Sequence, residues 1–131
     1  MLVQNIEIKE ESDIVVSRRI VREISTEMGF GIVNQTKLAT ATSELARNIF
    51  RYAGTGVVIV EKTSNPEGIR ILFEDNGPGI EDIPLAMEEG YTTTPGSLGL
   101  GLIGVKRLVD EMTIDSEVGK GTTVTIFKKL L

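Results

Sequence analysis

Apolar positions along this chain follow two different periods, and the two kinds of segment come in blocks. Residues 12–28 and 31–53 carry apolar side chains about 3.6 positions apart, which predicts two long helices. Alternating or short apolar runs bounded by turn residues predict five strands, at residues 2–9, 57–62, 68–74, 112–117 and 122–128. A short helical turn at residues 82–89 and an apolar-rich helix at residues 100–112 complete the predicted elements.

The order of these elements indicates the fold class. One strand precedes a block of two helices, and the other strands come as two hairpin-like pairs with the third helix between them. Such blocks are typical of helices layered on a sheet, whereas alternating strand–helix units would indicate a parallel sheet. We therefore expect an α+β two-layer sandwich with a mixed, mostly antiparallel sheet and helices on one face. Because no repeat or linker interrupts residues 1–131, we expect one domain.

Composition removes several classes of function. The 131 residues carry a net charge of −5 and no Lys/Arg cluster that forms a stripe, so nucleic acid is not an expected partner. No apolar run reaches the roughly 18–20 residues of a membrane helix, and no signal-peptide pattern begins the chain. We therefore expect no membrane partner and a cytoplasmic location. Because the chain has no His and no Cys, a general base must be Asp, Glu, Lys or Tyr.

A carboxylate and an amide stand one turn apart in the second predicted helix. Glu44 and Asn48 therefore point to one face, beside the apolar stripe of that helix. Such a pair suits Mg²⁺, which takes few protein oxygens and fills its other positions with water and phosphate. Glu44 can also serve as a general base toward a hydroxyl or water. The competing interpretation is an exposed pair on an amphipathic helix, and spacing alone favours it.

A second candidate is DNGPG at residues 75–79, directly after the apolar run of a predicted strand. Asp-Asn-Gly is common turn chemistry, but no alternating strand resumes after it. An Asp at a strand end can accept a hydrogen bond from an exocyclic amine, and the two glycines would let a flat ring approach the backbone. The segment fits either a turn or a base-recognition loop.

A third candidate is GLGLIG at residues 99–104, which opens a predicted helix. It matches the G-x-G-x-x-G dinucleotide pattern, but it follows a polar loop and no parallel strand with an acidic residue comes after it. Unpaired N–H groups at a helix start suit phosphate, and a flexible hinge is the alternative. Residues 80–105 contain no Lys or Arg, so Mg²⁺, the helix start and Arg47 or Arg51 would have to offset the charge of ATP.

In their order and spacing, these segments resemble the four boxes of the GHKL ATPase/kinase superfamily, which includes gyrase, Hsp90, histidine kinases and MutL. The boxes are SELARN at residues 43–48, D-x-G-x-G at 75–79, GLGL at 99–102 and G-x-G-T at 119–122. The 131 residues contain no histidine that could serve as the phosphoacceptor of histidine kinases, and we expect none of the long additional domains of gyrase and Hsp90. The chain is most similar to the small anti-sigma-factor serine kinases, and a GYTT segment at residues 90–93 resembles the stressosome switch kinases among them.

The resemblance implies roles for four polar side chains in a Bergerat ATP-binding fold. Glu44 would activate the acceptor hydroxyl as the catalytic base, and Asn48 would hold Mg²⁺. Asp75 would bond the adenine amine of ATP, assisted by Thr122 through water.

It also implies a lid over about residues 80–98 and a set of neighbours around the nucleotide. Gly77 and Gly79 would shape the adenine pocket. The other implied cofactor-binding residues lie near the phosphates or the adenine: Arg51, Tyr52, Gly99, Gly101 and Leu102.

The implied function is a Mg·ATP-dependent protein serine/threonine kinase that phosphorylates a STAS-domain scaffold or antagonist protein. It would act as a partner-switching regulator of a stress or sigma-factor pathway, with a downstream phosphatase or another output enzyme as a further partner. The alternative is a nucleotide-gated binding protein that regulates a phosphatase or sigma factor by contact, with negligible catalysis. A stand-alone ATPase is a third interpretation, weakened by the missing transducer domain.

Overall fold

The computed structural model describes residues 2–81, 83–87 and 101–131. The strands in these residues are β1 (Leu2–Ile8), β2 (Gly56–Ser64), β3 (Glu67–Asp75), β4 (Glu111–Glu117) and β5 (Gly121–Lys129). The helices are α1 (Ser12–Met28), α2 (Ile32–Asn48), α3 (Ile83–Ala86) and α4 (Gly101–Lys106), with a π-helical turn (Ile49–Ala53) after α2. None of these helices is long and apolar enough to cross a membrane.

The five strands form one sheet in the order β1-β2-β3-β5-β4. Because side chains alternate along a strand, Ile69, Ile71 and Phe73 of the central strand share one face, and all three are buried. The register pairs Ile71 with Val60 on one side and Ile126 on the other, which extends the apolar face across the sheet. The antiparallel prediction is confirmed. The prediction that the sheet is mixed was wrong, because every described strand pair is antiparallel.

The helices pack on the apolar face of the sheet. Leu38, Leu45 and Ile49 of the α2 segment belong to the same buried cluster as the sheet residues, and each such side chain contributes about 1.5–3 kcal/mol on burial. The opposite face carries charged side chains such as Glu61 and Arg70, whose ion pair spans 3.8 Å. The two-layer arrangement expected from the sequence is therefore confirmed.

The connection between α1 and α2 is fixed by polar contacts at the start of α2. Arg22 Nη2 donates to Thr36 Oγ1 at 3.0 Å, and Gln35 Nε2 donates to the Phe30 carbonyl at 2.7 Å. These bonds tie the N-terminal part of α2 to the chain before it. The opposite end of α2, with Glu44 and Asn48, faces the ends of the central strands.

Two predicted helices differ from the observed ones in their last turns. The predicted helix at 31–53 is α-helical only to Asn48, and the Gly54 N–H then bonds the Ile49 carbonyl at 3.0 Å in a π turn. The predicted helix at 100–112 ends at Lys106. Residues 110–112 instead join the sheet, where the Asp110 N–H bonds the Phe127 carbonyl at 3.0 Å, because strand pairing outcompetes the local helical pattern. Of the helical turn predicted at 82–89, the described part is Ile83–Ala86.

Candidate functional site

A cavity of about 320 Å³ opens between α2 and the ends of β3 and β5. This volume lies in the range of small-molecule sites, roughly 300–1,000 Å³. The residues that line it are Glu44, Leu45, Asn48, Ile49, Tyr52, Phe73, Asp75, Pro78, Gly79, Ile80, Glu81, Leu85, Gly101, Leu102, Thr122 and Val124. Apolar walls with a few polar groups are typical of a site for a flat organic ring.

The helical wall presents three side chains at four-residue intervals. Glu44, Asn48 and Tyr52 all line the cavity, because residues four apart lie on one helical face and the π turn continues that face past Asn48. π turns occur often at functional sites. Glu44 is buried, with 3% of its surface exposed, and Arg47 Nη1 lies 3.4 Å from its Oε2. The competing interpretation, an exposed Glu/Asn pair on an amphipathic helix, is therefore wrong, because Glu44 is buried.

The sheet wall is built around Asp75, the last residue of β3. Its Oδ1 accepts a hydrogen bond from the Gly77 N–H at 2.9 Å, which fixes the carboxylate against the following turn. Across the strands, Asp75 is paired with Thr122 of β5. The two side chains that were expected to recognise adenine therefore lie side by side on the same cavity wall.

Two glycines allow the backbone to pass unusually close to this wall. Gly79 has φ +79°, and a Cβ there would strike the Glu117 carbonyl oxygen. Gly121 has φ +130°, and a Cβ there would strike the Asp75 carbonyl oxygen and lie 2.9 Å from the Asn76 Cα. Residues with side chains rarely adopt these conformations, so both positions depend on glycine. Gly121 was recognised in the sequence only as part of a motif, and the structure shows its contact with Asp75.

Ser116 joins the loop after Asp75 to the strand that carries Thr122. Its hydroxyl accepts the Ile80 N–H at 2.7 Å, lies 2.8 Å from the Thr122 hydroxyl and 3.2 Å from the Gly121 carbonyl. The sequence analysis missed this residue. A serine in an alternating strand carries no signal of such a role, because the contact depends on the hairpin bringing β4 and the loop together.

The structure brings most of the predicted site residues to one cavity. Eight of them line it: Glu44, Asn48, Tyr52, Asp75, Gly79, Gly101, Leu102 and Thr122. Gly77 supports Asp75 from outside the lining, and Arg51 is exposed and does not line the cavity. Gly99 and residues 88–98 of the predicted lid lie outside the described residues. The individual roles stay predictions.

The described lining is acidic. It contains Glu44, Asp75 and Glu81, and no Lys or Arg. Arg47, one of the two arginines expected near phosphate, instead contacts the Glu44 carboxylate and does not line the cavity. An anionic ligand in this cavity would therefore need its charge offset by a cation that it brings with it.

The residues fit a nucleotide and a divalent cation. Within the described residues, the Asp75 carboxylate accepts a hydrogen bond from the Gly77 N–H through Oδ1. Its Oδ2 can therefore accept a hydrogen bond from a ligand donor such as an exocyclic amine. The described residues contain no group of three or more acidic side chains that could hold a metal by themselves. The Asn48 amide oxygen in the lining could hold Mg²⁺, which takes few protein ligands and is otherwise bound by water and substrate phosphates.

Comparisons with known proteins agree with this geometry. Residues 33–131 match the family described as histidine kinase-, DNA gyrase B- and HSP90-like ATPase. The chain is 46% identical over 127 residues to the serine/threonine-protein kinase RsbT of Bacillus subtilis (strain 168), covering 95% of each protein. It is 37% identical over 103 residues to an anti-sigma F factor of Clostridium beijerinckii, covering 74% of this chain and 71% of that protein.

A solved structure supports the same fold. The crystal structure of the RsbU and RsbW domains of a Mycobacterium tuberculosis protein matches with a TM-score of 0.68 at 19% identity, covering 98% of this chain and 33% of that longer one. The relatives confirm the resemblance to small anti-sigma-factor-type serine kinases, RsbT included. The chain belongs to the histidine kinase-, DNA gyrase B- and HSP90-like ATPase family.

Proposed function

We propose that this protein binds Mg·ATP in the cavity and transfers a phosphoryl group to a serine or threonine of a STAS-domain partner. The serine/threonine kinase and anti-sigma F factors among its relatives support this class of activity. The observation that carries the proposal is the buried carboxylate of Glu44, one turn from Asn48 in the cavity wall. Nucleotide binding alone has no use for a negative charge there, whereas proton removal requires a base.

The sheet wall would select the adenine ring. Asp75 would accept a hydrogen bond from the exocyclic amine, and the Thr122 hydroxyl beside it would bond the ring through water. The apolar side chains of Phe73 and Val124 line the same wall and would cover the faces of the ring. A flat aromatic ligand gains most of its binding energy from such burial, and the carboxylate adds orientation.

The helical wall would carry the chemistry. Asn48 would hold the metal ion through its amide oxygen. When bound, Mg²⁺ neutralises phosphate charge and so compensates for the acidic lining. Glu44 would take the proton of the acceptor hydroxyl as the oxygen–phosphorus bond forms and ADP departs with the electron pair of the broken bond. No other carboxylate in the described lining belongs to α2.

The class of relatives supports the biological role that we propose. Phosphorylation of one partner would release the kinase to act on another, so the protein would switch between a STAS-domain scaffold or antagonist and an output enzyme such as a phosphatase. The pathway would be a stress or sigma-factor response. The proposed site of action is the cytoplasm, where ATP is available.

A second candidate function is favoured by one observation. Because the described lining has no cation, the site is less equipped to stabilise a transferring phosphoryl group than a typical kinase site. The protein would then be a nucleotide-gated binding protein that regulates its partner by contact. This candidate predicts nucleotide-dependent partner binding without phosphate transfer.

Labelled ATP separates the two candidates. The protein is incubated with γ-labelled ATP, Mg²⁺ and a STAS-domain protein from the same genome, and label on the partner is followed over time. We expect transfer by the wild type and a kcat about 100- to 10,000-fold lower in Glu44→Gln, which is isosteric but cannot accept the proton. ATP affinity should be retained, since the glutamine side chain of the variant keeps the shape of the wall.

Three outcomes would overturn the proposal or part of it. No label on any STAS-domain partner, with partner binding still dependent on ATP, would support contact regulation instead. Undiminished transfer in Glu44→Gln would remove Glu44 as the base. ATP hydrolysis without a partner at a rate equal to the transfer rate would favour the stand-alone ATPase.

A further inference from the structure

The buried carboxylate of Glu44 has a cationic neighbour on its own helix. Arg47 Nη1 lies 3.4 Å from Glu44 Oε2, and the two residues are three positions apart on α2. Residues at this spacing are neighbours on a helix surface, so the helix itself sets the pairing. The Arg47 side chain is 24% exposed and does not line the cavity, so it reaches the carboxylate from outside the nucleotide site.

This pair differs from the exposed ion pairs of the molecule. Arg19 and Glu23 of α1 are also paired along a helix, at 3.9 Å, but their side chains are 66% and 64% exposed. Water screens such a pair, and its contribution to stability is small. The Glu44 side chain is only 4% exposed, so water cannot compensate its charge in the same way. Removing the charge partner of a buried carboxylate leaves an uncompensated charge and destabilises the fold.

The acidity of the cavity adds to this requirement. Glu44, Asp75 and Glu81 all line it, and an ATP triphosphate would bring about four more negative charges in the absence of metal. A proton acceptor has to be aimed at the acceptor hydroxyl. Among the described residues, Arg47 is the cation shown in contact with Glu44, so its charge acts where the mechanism needs it.

We infer that Arg47 is a positioning residue for the base. Its guanidinium holds the orientation of the buried Glu44 carboxylate from outside the cavity, without contacting the nucleotide. The inference rests on the proposed function, because it assigns Arg47 a role through Glu44. It differs from the sequence-based expectation, in which Arg47 was one of two candidates for offsetting phosphate charge.

A set of variants tests the pairing by kinetics. Arg47→Met keeps most of the apolar stem but removes the charge, and Arg47→Lys keeps the charge. With γ-labelled ATP and the STAS-domain protein, we expect Arg47→Met to lower kcat by about 10- to 100-fold. The KM for ATP should change less than about 3-fold, since the side chain lies outside the lining. Arg47→Lys should recover most of the lost kcat.

The double variant isolates the dependence on Glu44. In a Glu44→Gln background, Arg47→Met should lower kcat by less than about 2-fold further, because the group it acts through is gone. Independent contact of Arg47 with phosphate or partner would instead multiply the two losses. Arg19→Met is the matched control, since it removes an arginine from an exposed helical ion pair, and it should leave kcat unchanged.

A readout without nucleotide or partner comes from urea unfolding. Arg47→Met should lower the urea midpoint in the Glu44 background, because it takes a cation away from a buried carboxylate. The same change in the Glu44→Gln background should leave the midpoint nearly unchanged. Arg19→Met should shift the midpoint little in either background.

The outcomes separate this inference from the proposed function. Reduced transfer in Glu44→Gln together with wild-type kcat in Arg47→Met would overturn the inference and leave the kinase intact. Multiplicative losses in the double variant, or equal midpoint shifts in both backgrounds, would also overturn it. Undiminished transfer in Glu44→Gln, or none by the wild type, would overturn the assignment of the base and the role of Arg47 with it.

Discussion

Asp75 and Glu44 are carboxylates of the same cavity, but the fold holds them in different ways. Asp75 ends a central strand and is fixed by a backbone donor, the Gly77 N–H at 2.9 Å. Glu44 lies within a helix and is paired with a side chain, the Arg47 guanidinium at 3.4 Å. The position of the Asp75 carboxylate is therefore set by the backbone, whereas that of the Glu44 carboxylate depends on the side chain of Arg47.

This difference suits two different tasks. A group that recognises a ring must stay at a fixed place relative to the walls, and backbone contacts provide that rigidity. A group that accepts a proton must change its charge during the reaction, and a side-chain partner can adjust as it does so. The geometry thus supports recognition on the sheet wall and chemistry on the helical wall. Variants can test whether nucleotide recognition by the sheet wall and chemistry at the helical wall can be changed independently.

The largest effect is expected from Gly121→Ala, which disturbs the close packing of the Gly121 backbone against the Asp75 backbone. The new Cβ would strike the Asp75 carbonyl oxygen at a residue with φ +130°, and neither backbone can yield easily. We expect a loss of about 2–4 kcal/mol in the free energy of unfolding, and weaker ATP binding by the protein that remains folded. Urea unfolding and ATP titration measure the two effects.

Gly119→Ala is the matched control for this change, because it lies in the same turn. Gly119 has φ +82°, but a Cβ there would meet nothing within 4 Å. Only the backbone strain should act, at a cost of about 1–2 kcal/mol in the free energy of unfolding, and ATP binding should be unchanged. Equal losses in the two variants would show that the close approach to Asp75 contributes nothing.

The next largest effect is expected from Asp75→Asn, which keeps the shape of the wall and changes one atom. The amide oxygen of the variant side chain can still accept the Gly77 N–H, so the turn should hold. The other carboxylate oxygen is replaced by an NH₂ donor that faces the donor amine of adenine. ATP affinity should fall about 10- to 100-fold, or about 1.5–3 kcal/mol, with little change in unfolding free energy.

Isothermal titration with ATP and with inosine triphosphate checks this prediction. Inosine carries an acceptor oxygen where adenine carries its amine, so Asp75→Asn should narrow the preference for ATP. Equal losses of affinity for both nucleotides would mean that Asp75 contributes charge or shape without contacting the amine. A large loss of stability would mean that the two walls are not separable.

The same comparison explains what the sequence could predict. Periodicity predicted five strands and both long helices, because burial of one face imposes the pattern directly on residues such as Leu38 and Ile71. The end of α4 was predicted at residue 112 and lies at Lys106, because pairing of β4 with β5 is a long-range contact that local propensity does not record. The prediction that the sheet is mixed was wrong for the same reason.

The site residues also divide into those that motif order predicts and those that depend on long-range contacts. Glu44, Asn48 and Asp75 could be proposed from motif order, since each is a distinctive residue type at a distinctive spacing. Ser116 could not, because its hydroxyl gains its role only when two distant segments come within bonding distance. The contact of Arg47 was equally hidden. The sequence suggested Arg47 only as a partner for phosphate, and the contact with the buried Glu44 carboxylate is visible only in the folded structure.

The smallest effect is expected at a third carboxylate, Asp13, which is fixed by backbone donors like Asp75 but lies in the first turn of α1 and does not line the cavity. Its Oδ2 accepts the N–H groups of Lys9 and Glu10, both at 2.9 Å. These bonds, that from Lys9 first, hold the pKa of the Asp13 carboxyl below its usual range. The contribution to stability is therefore present above the unfolded pKa of about 3.9 and is lost as pH falls through the folded value.

Asp13→Ala should lower the free energy of unfolding near neutral pH by less than the other variants do, and the difference from wild type should shrink below about pH 4. Asp13→Asn keeps an acceptor without the charge, so its smaller deficit should shrink in the same acidic range. Urea unfolding at both pH values measures the differences, and ATP affinity should equal that of the wild type in both variants. A weakened affinity would show that α1 and the cavity are coupled. A carboxylate fixed by backbone donors would then affect a distant site as well as its own turn. The distinction between Asp75 and Glu44 would no longer hold.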